Sequence, residues 1–414
     1  MAETLDATEK VLIIGGGHAA GQCAASLRQK GWRGDIVIAG EEAYPPYQRP
    51  PLSKAFLAGE LAAERLFLKP AAFYDKERID LRLGARATRI DRAEKSVAFE
   101  DGSAIDYDCL VIATGARVRR LKVPGADLPG VGYLRDIADV DALRPRLGAG
   151  ADLVIVGAGY IGLEVAAVAA KLGARVTVLE AAGRVMSRVA GETISHFFED
   201  LHRANGVDIR LHAALAGFDG EDRVEAARLA DGSRLACDLA VIGVGVVPNA
   251  EIAEAAGLAV DDGVVVDDCT RTQDPAIYAV GDCTRHPCAY LGEPVRLESV
   301  HNALEQAKTA AAAICGAPSP YDQAPWFWSD QYDVKLQTVG IGPGRADREI
   351  VRGAIDDKAF SVFYFRGETL LAVDSVNRPA DHMIARKIIA TGAAATPAAV
   401  ADPSFDLKSL ISGR

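Results

Sequence analysis

The sequence predicts an α/β protein built from two parallel-sheet units and a smaller α+β domain, and three observations carry that prediction. A strand, glycine turn and helix occur twice, beginning at Val11 and at Leu153. Each copy is answered further along by an apolar strand that ends in a glycine turn, at residues 107–115 and 237–245. After Ala317-Pro-Ser-Pro320 the composition turns aromatic and alternating.

The first copy runs from the β-branched stretch at Val11 into Gly15-Gly16-Gly17-His18-Ala19-Ala20, then an Ala-rich helix and a second strand ending at Glu41. The second runs from Leu153 into Gly157-Ala158-Gly159-Tyr160-Ile161-Gly162, with its next strand ending at Glu180. In such a turn the first glycine permits the tight bend and the second lets backbone approach a diphosphate. The third position, Ala20 or Gly162, lets helix and strand pack closely. The open amides of the helix start then face the phosphates, and a carboxylate about 20 residues on accepts the ribose hydroxyls. Two copies imply two dinucleotides and two Rossmann-like nucleotide-binding domains. The negative charge of Glu180 favours NADH over NADPH. No Arg follows it directly, although Arg184 stands near.

The later strands repeat the symmetry. Ala113-Thr114-Gly115 returns the first unit to its turn, the stretch from Gly243 to Gly245 closes the second, and Gly281-Asp282 ends another buried strand. Beyond residue 320, Trp326-Phe-Trp328 and the alternating stretch 360–365 predict a small antiparallel sheet, with a helix near 381–391. The Pro- and Ala-containing tail from Thr396 is expected to be loosely ordered. The predicted division is 1–115 with 246–319, then 116–245, then 320–414.

The chain has 414 residues, 49% of them hydrophobic, which at about 150 residues per domain suggests roughly three cores. Its 46 Lys and Arg against 57 Asp and Glu give a net charge of −11, which argues against nucleic acid as a ligand. No uncharged apolar run reaches the ~18 residues of a bilayer span. The acidic opening residues lack the layout of a signal peptide, which predicts a cytoplasmic protein. Seven scattered cysteines without a Cys-x-x-Cys pair read as reduced thiols. The cluster Cys283-Thr-Arg-His286-Pro-Cys288 does not match zinc spacing, so no metal is expected.

Several longer stretches resemble the putidaredoxin reductase-like family of FAD- and NADH-dependent ferredoxin reductases. They are Tyr47-Gln-Arg49-Pro-Pro-Leu-Ser-Lys54, the Gly157 turn through Glu164, Arg296-Leu-Glu-Ser-Val300-His-Asn, and Trp326-Phe-Trp328-Ser-Asp-Gln-Tyr332. The resemblance implies a glutathione-reductase-like arrangement, with a small C-terminal α+β domain. It implies FAD in the first unit, with Gly15, Gly17, Ala19 and Ala20 at the diphosphate and Glu41 at the adenosine ribose. By the same resemblance Ala87 is expected near the adenine, Thr114 and Arg135 along the cofactor, Asp282 at the ribityl chain and Val300 by the ring. It likewise implies that Arg49 and Lys54 sit over the flavin. NADH falls to Gly157, Gly159, Ile161, Gly162, Glu180 and Gly245.

Hydride transfer needs no protein nucleophile, only position, electrostatics and exclusion of water. Lys54, following two prolines, is the expected electrostatic tuner, and Glu164 its expected partner, the competing readings being a solvated lysine and an ordinary helix-start acid. Tyr160 either covers the flavin ring or packs as a core tyrosine. Trp328 stands either where electrons leave or at a domain interface.

The implied activity passes a hydride from NADH to FAD, then single electrons to a [2Fe-2S] ferredoxin serving a cytochrome monooxygenase. The alternatives are the reductase component of a ring-hydroxylating dioxygenase, or a redox-sensing flavoprotein resembling apoptosis-inducing factor. A disulfide reductase would carry a Cys-x4-Cys pair beside the flavin, and the first nucleotide helix holds only Cys23. No membrane partner is expected, and the oligomeric state is monomer or weak dimer.

Overall fold

Apolar runs set the strands, and the computed structural model describes residues 9–411. In chain order the elements that position the site are β1 (Lys10–Ile14), α1 (His18–Gln29), β2 (Asp35–Gly40), β3 (Ile79–Leu83), β4 (Cys109–Ile112), β5 (Val131–Gly132), β6 (Asp152–Val156), α2 (Tyr160–Lys171), β7 (Arg175–Leu179), α3 (Glu192–Ala204), β8 (Asp208–Arg210), β9 (Leu239–Ile242), β10 (Ile277–Ala279), α4 (Val300–Ile314), β11 (Trp326–Gln331), β12 (Val334–Gly340), β13 (Arg348–Ala354), β14 (Ala359–Arg366), β15 (Thr369–Val376) and α5 (Pro379–Thr391). They divide between two units, one of residues 1–48, 64–117 and 247–323, the other of residues 49–63, 118–246 and 324–414.

In the first unit five parallel strands lie in the order β10-β4-β1-β2-β3. Val11, Leu12 and Ile13 of β1 are wholly buried, as a central parallel strand covered on both faces requires. One face is closed by α1 and α4, whose Ala19, Ala20, Ala24, Ala303, Ala307 and Ala310 share one core. Small side chains let the two helices approach closely, which is why the Ala-rich sequences at both places fold together.

The second unit repeats the scheme with the parallel order β8-β7-β6-β9-β5. It also holds an antiparallel sheet in the order β11-β12-β15-β14-β13, on which α5 packs through Ala385 and Ile388. Pro379 opens α5 at its first turn, and Gly392, at φ 61°, ends it in the left-handed conformation.

Residues 396–411 of the tail are not loose. Residues Pro397–Ala401 form a short helix whose start is capped by Thr396 Oγ1, which accepts from the Ala399 amide at 3.2 Å. Val400 and Leu407 are buried, and the Arg352 guanidinium donates to the carbonyls of Val400, Asp402, Pro403 and Phe405. Composition alone hides this, because one arginine on a neighbouring strand ties the segment down.

Candidate functional site

The first glycine turn follows β1. Gly15 sits at φ 120°, and a Cβ there would stand 2.1 Å from the Ala113 carbonyl oxygen, so only glycine fits beside the end of β4. Gly17 caps α1 with no side-chain hydrogen bond, and a Cβ on it would meet nothing within 4 Å. Open amides facing open space suit a diphosphate.

Ala19 and Ala20 are buried behind the turn, and a Cβ on Gly281 would lie 3.3 Å from that of Ala19. This brings Asp282, next in the chain, to the same end of the sheet. The Gly281 amide donates to Gln306 Oε1 at 2.7 Å, which fixes the turn. Thr114 Oγ1 donates to the Asn249 carbonyl at 2.6 Å, and Asn249 Nδ2 donates back to the Thr114 carbonyl at 2.9 Å. Val300 opens α4 behind the Ser299 cap. Glu41 lies past β2, exposed, with a carboxylate oxygen 4.0 Å from Arg86. Ala87 starts a separate strand, Ala87–Asp91.

In the second turn Gly157 sits at φ 102°, and a Cβ on Gly162 would fall 2.1 Å from the Gly157 carbonyl oxygen. The first copy admits Ala20 at the matching place, whereas this one has no room for a methyl group. Gly159 again caps its helix without a side chain and faces open space, and Ile161 is 41% exposed. Glu180 is held at the rim, accepting from the amides of Ala158 at 2.9 Å and Ala182 at 2.8 Å. Arg184 turns inward, donating to Ala190 O, Ser195 Oγ and Ser187 O at 2.6–3.0 Å. Its guanidinium is therefore committed to its own loop. Exposed Arg188 stands over Gly245, with a guanidinium nitrogen 3.1 Å from where a Cβ would lie.

The segment 49–63 belongs to the second unit. Arg49 donates to the Arg135 carbonyl at 2.9 Å. The Pro50–Ser53 turn presents Lys54, whose Nζ lies 2.6 Å from Glu164 Oε2 and 3.2 Å from the Pro50 carbonyl. Glu164 is 1% exposed and its two oxygens have different partners: Ser53 Oγ donates to Oε2 and Ser329 Oγ to Oε1, each at 2.5 Å. Tyr160, one turn before Glu164, packs on Phe327 with ring centroids 4.6 Å apart. Burial, then the charges of Asp374 and Glu164, push the Tyr160 phenol well above its ordinary value, so it stays neutral. Trp328, half-buried, tilts against Trp326 at 5.5 Å.

The structure thus gathers Gly15, Gly17, Ala19, Ala20, Thr114 and Asp282 at one sheet end of the first unit. In the second it gathers Gly157, Gly159, Gly162, Glu180 and Gly245 at one sheet end, and Lys54, Glu164, Tyr160 and Trp328 around α2 and β11. Sequence reasoning missed Arg188, Ser53, Ser329, Gln331 and His202. A serine beside Lys54 and another beside Trp328 were the available signal for two of these.

Among the described residues no group of His, Cys, Asp and Glu could hold a metal ion, and no helix is long and apolar enough to cross a membrane. Among the described residues none of the seven cysteines forms a disulfide.

Known proteins align along almost the whole chain. It is 47% identical over 399 residues to rhodocoxin reductase of Rhodococcus erythropolis, covering 96% of this chain and 93% of that one. It is 44% identical over 413 residues to putidaredoxin reductase CamA of Pseudomonas putida, covering 98% of each. The crystal structure of the covalent putidaredoxin reductase–putidaredoxin complex superposes with a TM-score of 0.95 at 44% identity, covering 98% of this chain and 99% of that one. The ferredoxin reductase for the CYP199A2 system from Rhodopseudomonas palustris gives 0.94 at 44%, covering 97% and 99%. Residues 326–411 match the reductase C-terminal family. Residues 9–307, which carry both glycine turns, match the pyridine nucleotide-disulphide oxidoreductase family, and the chain belongs to it.

Proposed function

We propose that this protein is an FAD-dependent NADH:ferredoxin oxidoreductase. The observation that carries the reading is a pair of glycine turns in one chain, each with an uncapped helix start facing open space. That fits two diphosphates, and of the similar proteins named above one is a ferredoxin reductase by name and the others are reductases of rhodocoxin and putidaredoxin.

FAD is assigned to residues 1–115 and 246–319, NADH to 116–245, and 320–414 form the C-terminal domain. Bound FAD supplies the chemistry, accepting a hydride and releasing electrons one at a time. The chain's own residues bind, orient and shield. Gly15, Gly17, Ala19, Ala20, Glu41, Ala87, Thr114, Arg135, Asp282 and Val300 hold FAD, with Arg49 and Lys54 beside the ring. Gly157, Gly159, Ile161, Gly162, Glu180 and Gly245 hold NADH. To these we add Arg188 as a cation for the NADH diphosphate. Glu180, pinned by two amides, repels a 2′-phosphate, and Arg184, committed elsewhere, offers no cation to accept one. Lys54 is the electrostatic partner of the flavin and Glu164 is its counter-charge. Tyr160 covers the ring, and Trp328 stands on the electron exit.

The electron acceptor is a [2Fe-2S] ferredoxin that serves a cytochrome monooxygenase, supported by a similar structure named for the CYP199A2 system. Cysteines that form no disulfide among the described residues fit a cytoplasmic site, and the sequence reading gives a monomer or weak dimer. Mixing the FAD-loaded protein with NADH and a purified [2Fe-2S] ferredoxin without oxygen tests the assignment. Ferredoxin bleaching over many turnovers is expected. Flavin reduction with no transfer to any ferredoxin would instead favour a redox-sensing flavoprotein.

A further inference from the structure

Strand β11 alternates, and its face bearing Phe327, Ser329 and Gln331 is laid against the helices of the second unit. Phe327 meets Tyr160, Ser329 meets Glu164, and Gln331 meets His202 of α3. Two residues apart on a strand and four apart on α2 is the spacing that brings these pairs into register.

The last two contacts join into one buried chain. Tyr332 OH lies 3.1 Å from His202 Nδ1, His202 Nε2 lies 2.8 Å from Gln331 Oε1, and Gln331 Nε2 donates to Ser329 Oγ at 3.1 Å. Ser329 Oγ then donates to Glu164 Oε1 at 2.5 Å. His202, Gln331, Ser329 and Glu164 are each at most 1% exposed.

The direction of the chain follows from its end. Glu164 is paired with Lys54, so its carboxylate only accepts, and the Ser329 proton must point at it. Ser329 then accepts from the Gln331 amide nitrogen, the amide oxygen faces the ring, and Nε2 of His202 carries the ring proton. Nδ1 is left to accept from Tyr332. Burial lowers the His202 pKa to about 4, so the ring is neutral at physiological pH and can fill this role. Every donor points the same way, and aligned hydrogen bonds in a low-dielectric interior polarise one another.

We propose that His202 and Gln331 are positioning residues for the Lys54–Glu164 pair, a chain of aligned donors that holds the Glu164 carboxylate in place and shares its negative charge. A carboxylate with fewer other donors binds its remaining cation more tightly. The chain thus loosens the hold of Glu164 on Lys54 and leaves the ammonium's field available to the flavin. The inference rests on the assignment of Lys54 as the flavin's electrostatic partner.

The test is a double-mutant cycle on the FAD-loaded protein, reading the flavin midpoint potential and the anaerobic rate of flavin reduction by NADH. Gln331→Leu and His202→Phe are expected to make the potential more negative and to slow reduction about five-fold, with NADH affinity unchanged. His202→Gln, which keeps a donor toward Gln331, is expected to restore most of both. In a Lys54→Met background Gln331→Leu is expected to add nothing. If His202→Phe does not fold, Gln331→Leu and Ser329→Ala carry the same cycle. Equal effects of Gln331→Leu with and without Lys54 would overturn the chain while leaving Lys54's role intact. No effect of Lys54→Met alone would overturn both. Nitrogen-15 histidine spectra give an independent reading: the Nε2-protonated tautomer of His202 is required, and the other would contradict the chain.

Discussion

Lys54 Nζ lies 2.6 Å from Glu164 Oε2, and the Glu164 side chain is 1% exposed while that of Lys54 is 19% exposed. A buried charge of this kind survives only if it is paired, and removing one partner leaves the other uncompensated. Glu164→Gln keeps the shape and both serine neighbours but deletes the charge. Without the carboxylate that anchors it the Lys54 ammonium is no longer held in place, a loss that outweighs any gain in its field, so flavin reduction by NADH should slow about ten-fold, equivalent to ~1.4 kcal/mol on the barrier. Rapid-mixing absorbance checks it, and an unchanged rate would remove Glu164 from the account.

A methyl group at Gly162 would fall 2.1 Å from the Gly157 carbonyl oxygen, and backbone must shift to relieve it. Gly162→Ala should weaken NADH binding at least about ten-fold while FAD stays bound, because the first turn is untouched. Titration of NADH against flavin absorbance separates the two effects. Simultaneous loss of FAD would show that the turns are not independent.

Glu180 accepts two backbone amides, and Arg188 stands beside Gly245. Glu180→Ala should narrow the preference for NADH over NADPH by about ten-fold, by removing a repulsion rather than adding an attraction. Arg188→Leu should weaken both nucleotides alike. Steady-state ratios of kcat/KM for the two cofactors measure each outcome, and an unaltered ratio in Glu180→Ala would contradict the role given to that carboxylate.

His286 is 2% exposed, neither ring nitrogen has a hydrogen-bond partner among the described residues, and burial lowers its pKa from 6.5 to about 4. Between those values the unfolded chain binds a proton that the folded one refuses. Stability is therefore lost as pH falls from 6.5 towards 4, by up to roughly 3 kcal/mol. His202 and His382 act in the same direction. Asp374 acts in the opposite one, because burial raises it from 3.8 to about 7 and stability falls as pH rises through that interval. His286→Phe should flatten the drop in Tm between pH 6.5 and 4.5, as read by thermal melts. A drop as steep as the parent's would show that the ring is protonated in the folded state.

Both glycine turns, their strands and their acidic rims were legible in the sequence, because a tight turn beside a strand restricts residue choice locally. The role of Lys54 was legible only through the resemblance, whereas Glu164 was matched to it from its place in the first turns of the nucleotide helix. The remainder depends on side chains far apart in the chain. Ser329 and Gln331 look like ordinary strand residues until β11 is laid against α2 and α3, and the inward turn of Arg184 rests on a loop carbonyl and Ser195. Neither leaves a local pattern. The tail was misread for the same reason, since Arg352 lies some fifty residues before the carbonyls it ties.

Electrostatic docking gives a prediction at the level of the whole protein. The chain carries a net charge of −11, so an acidic ferredoxin must find a local basic surface, and salt screens such a contact. Raising ionic strength should lower the kcat/KM for ferredoxin several-fold while reduction of a small uncharged dye is unchanged. Equal sensitivity of the two acceptors would count against steered docking.

The central claim is that two nucleotide turns bring NADH and a bound flavin into one electron path. Anaerobic titration of the purified yellow protein with NADH, followed by visible absorbance, tests it most directly. Bleaching of the flavin band by one equivalent of NADH, and its return on adding oxidised [2Fe-2S] ferredoxin, is the predicted result. A protein that retains no flavin, or whose flavin NADH leaves oxidised, would contradict it.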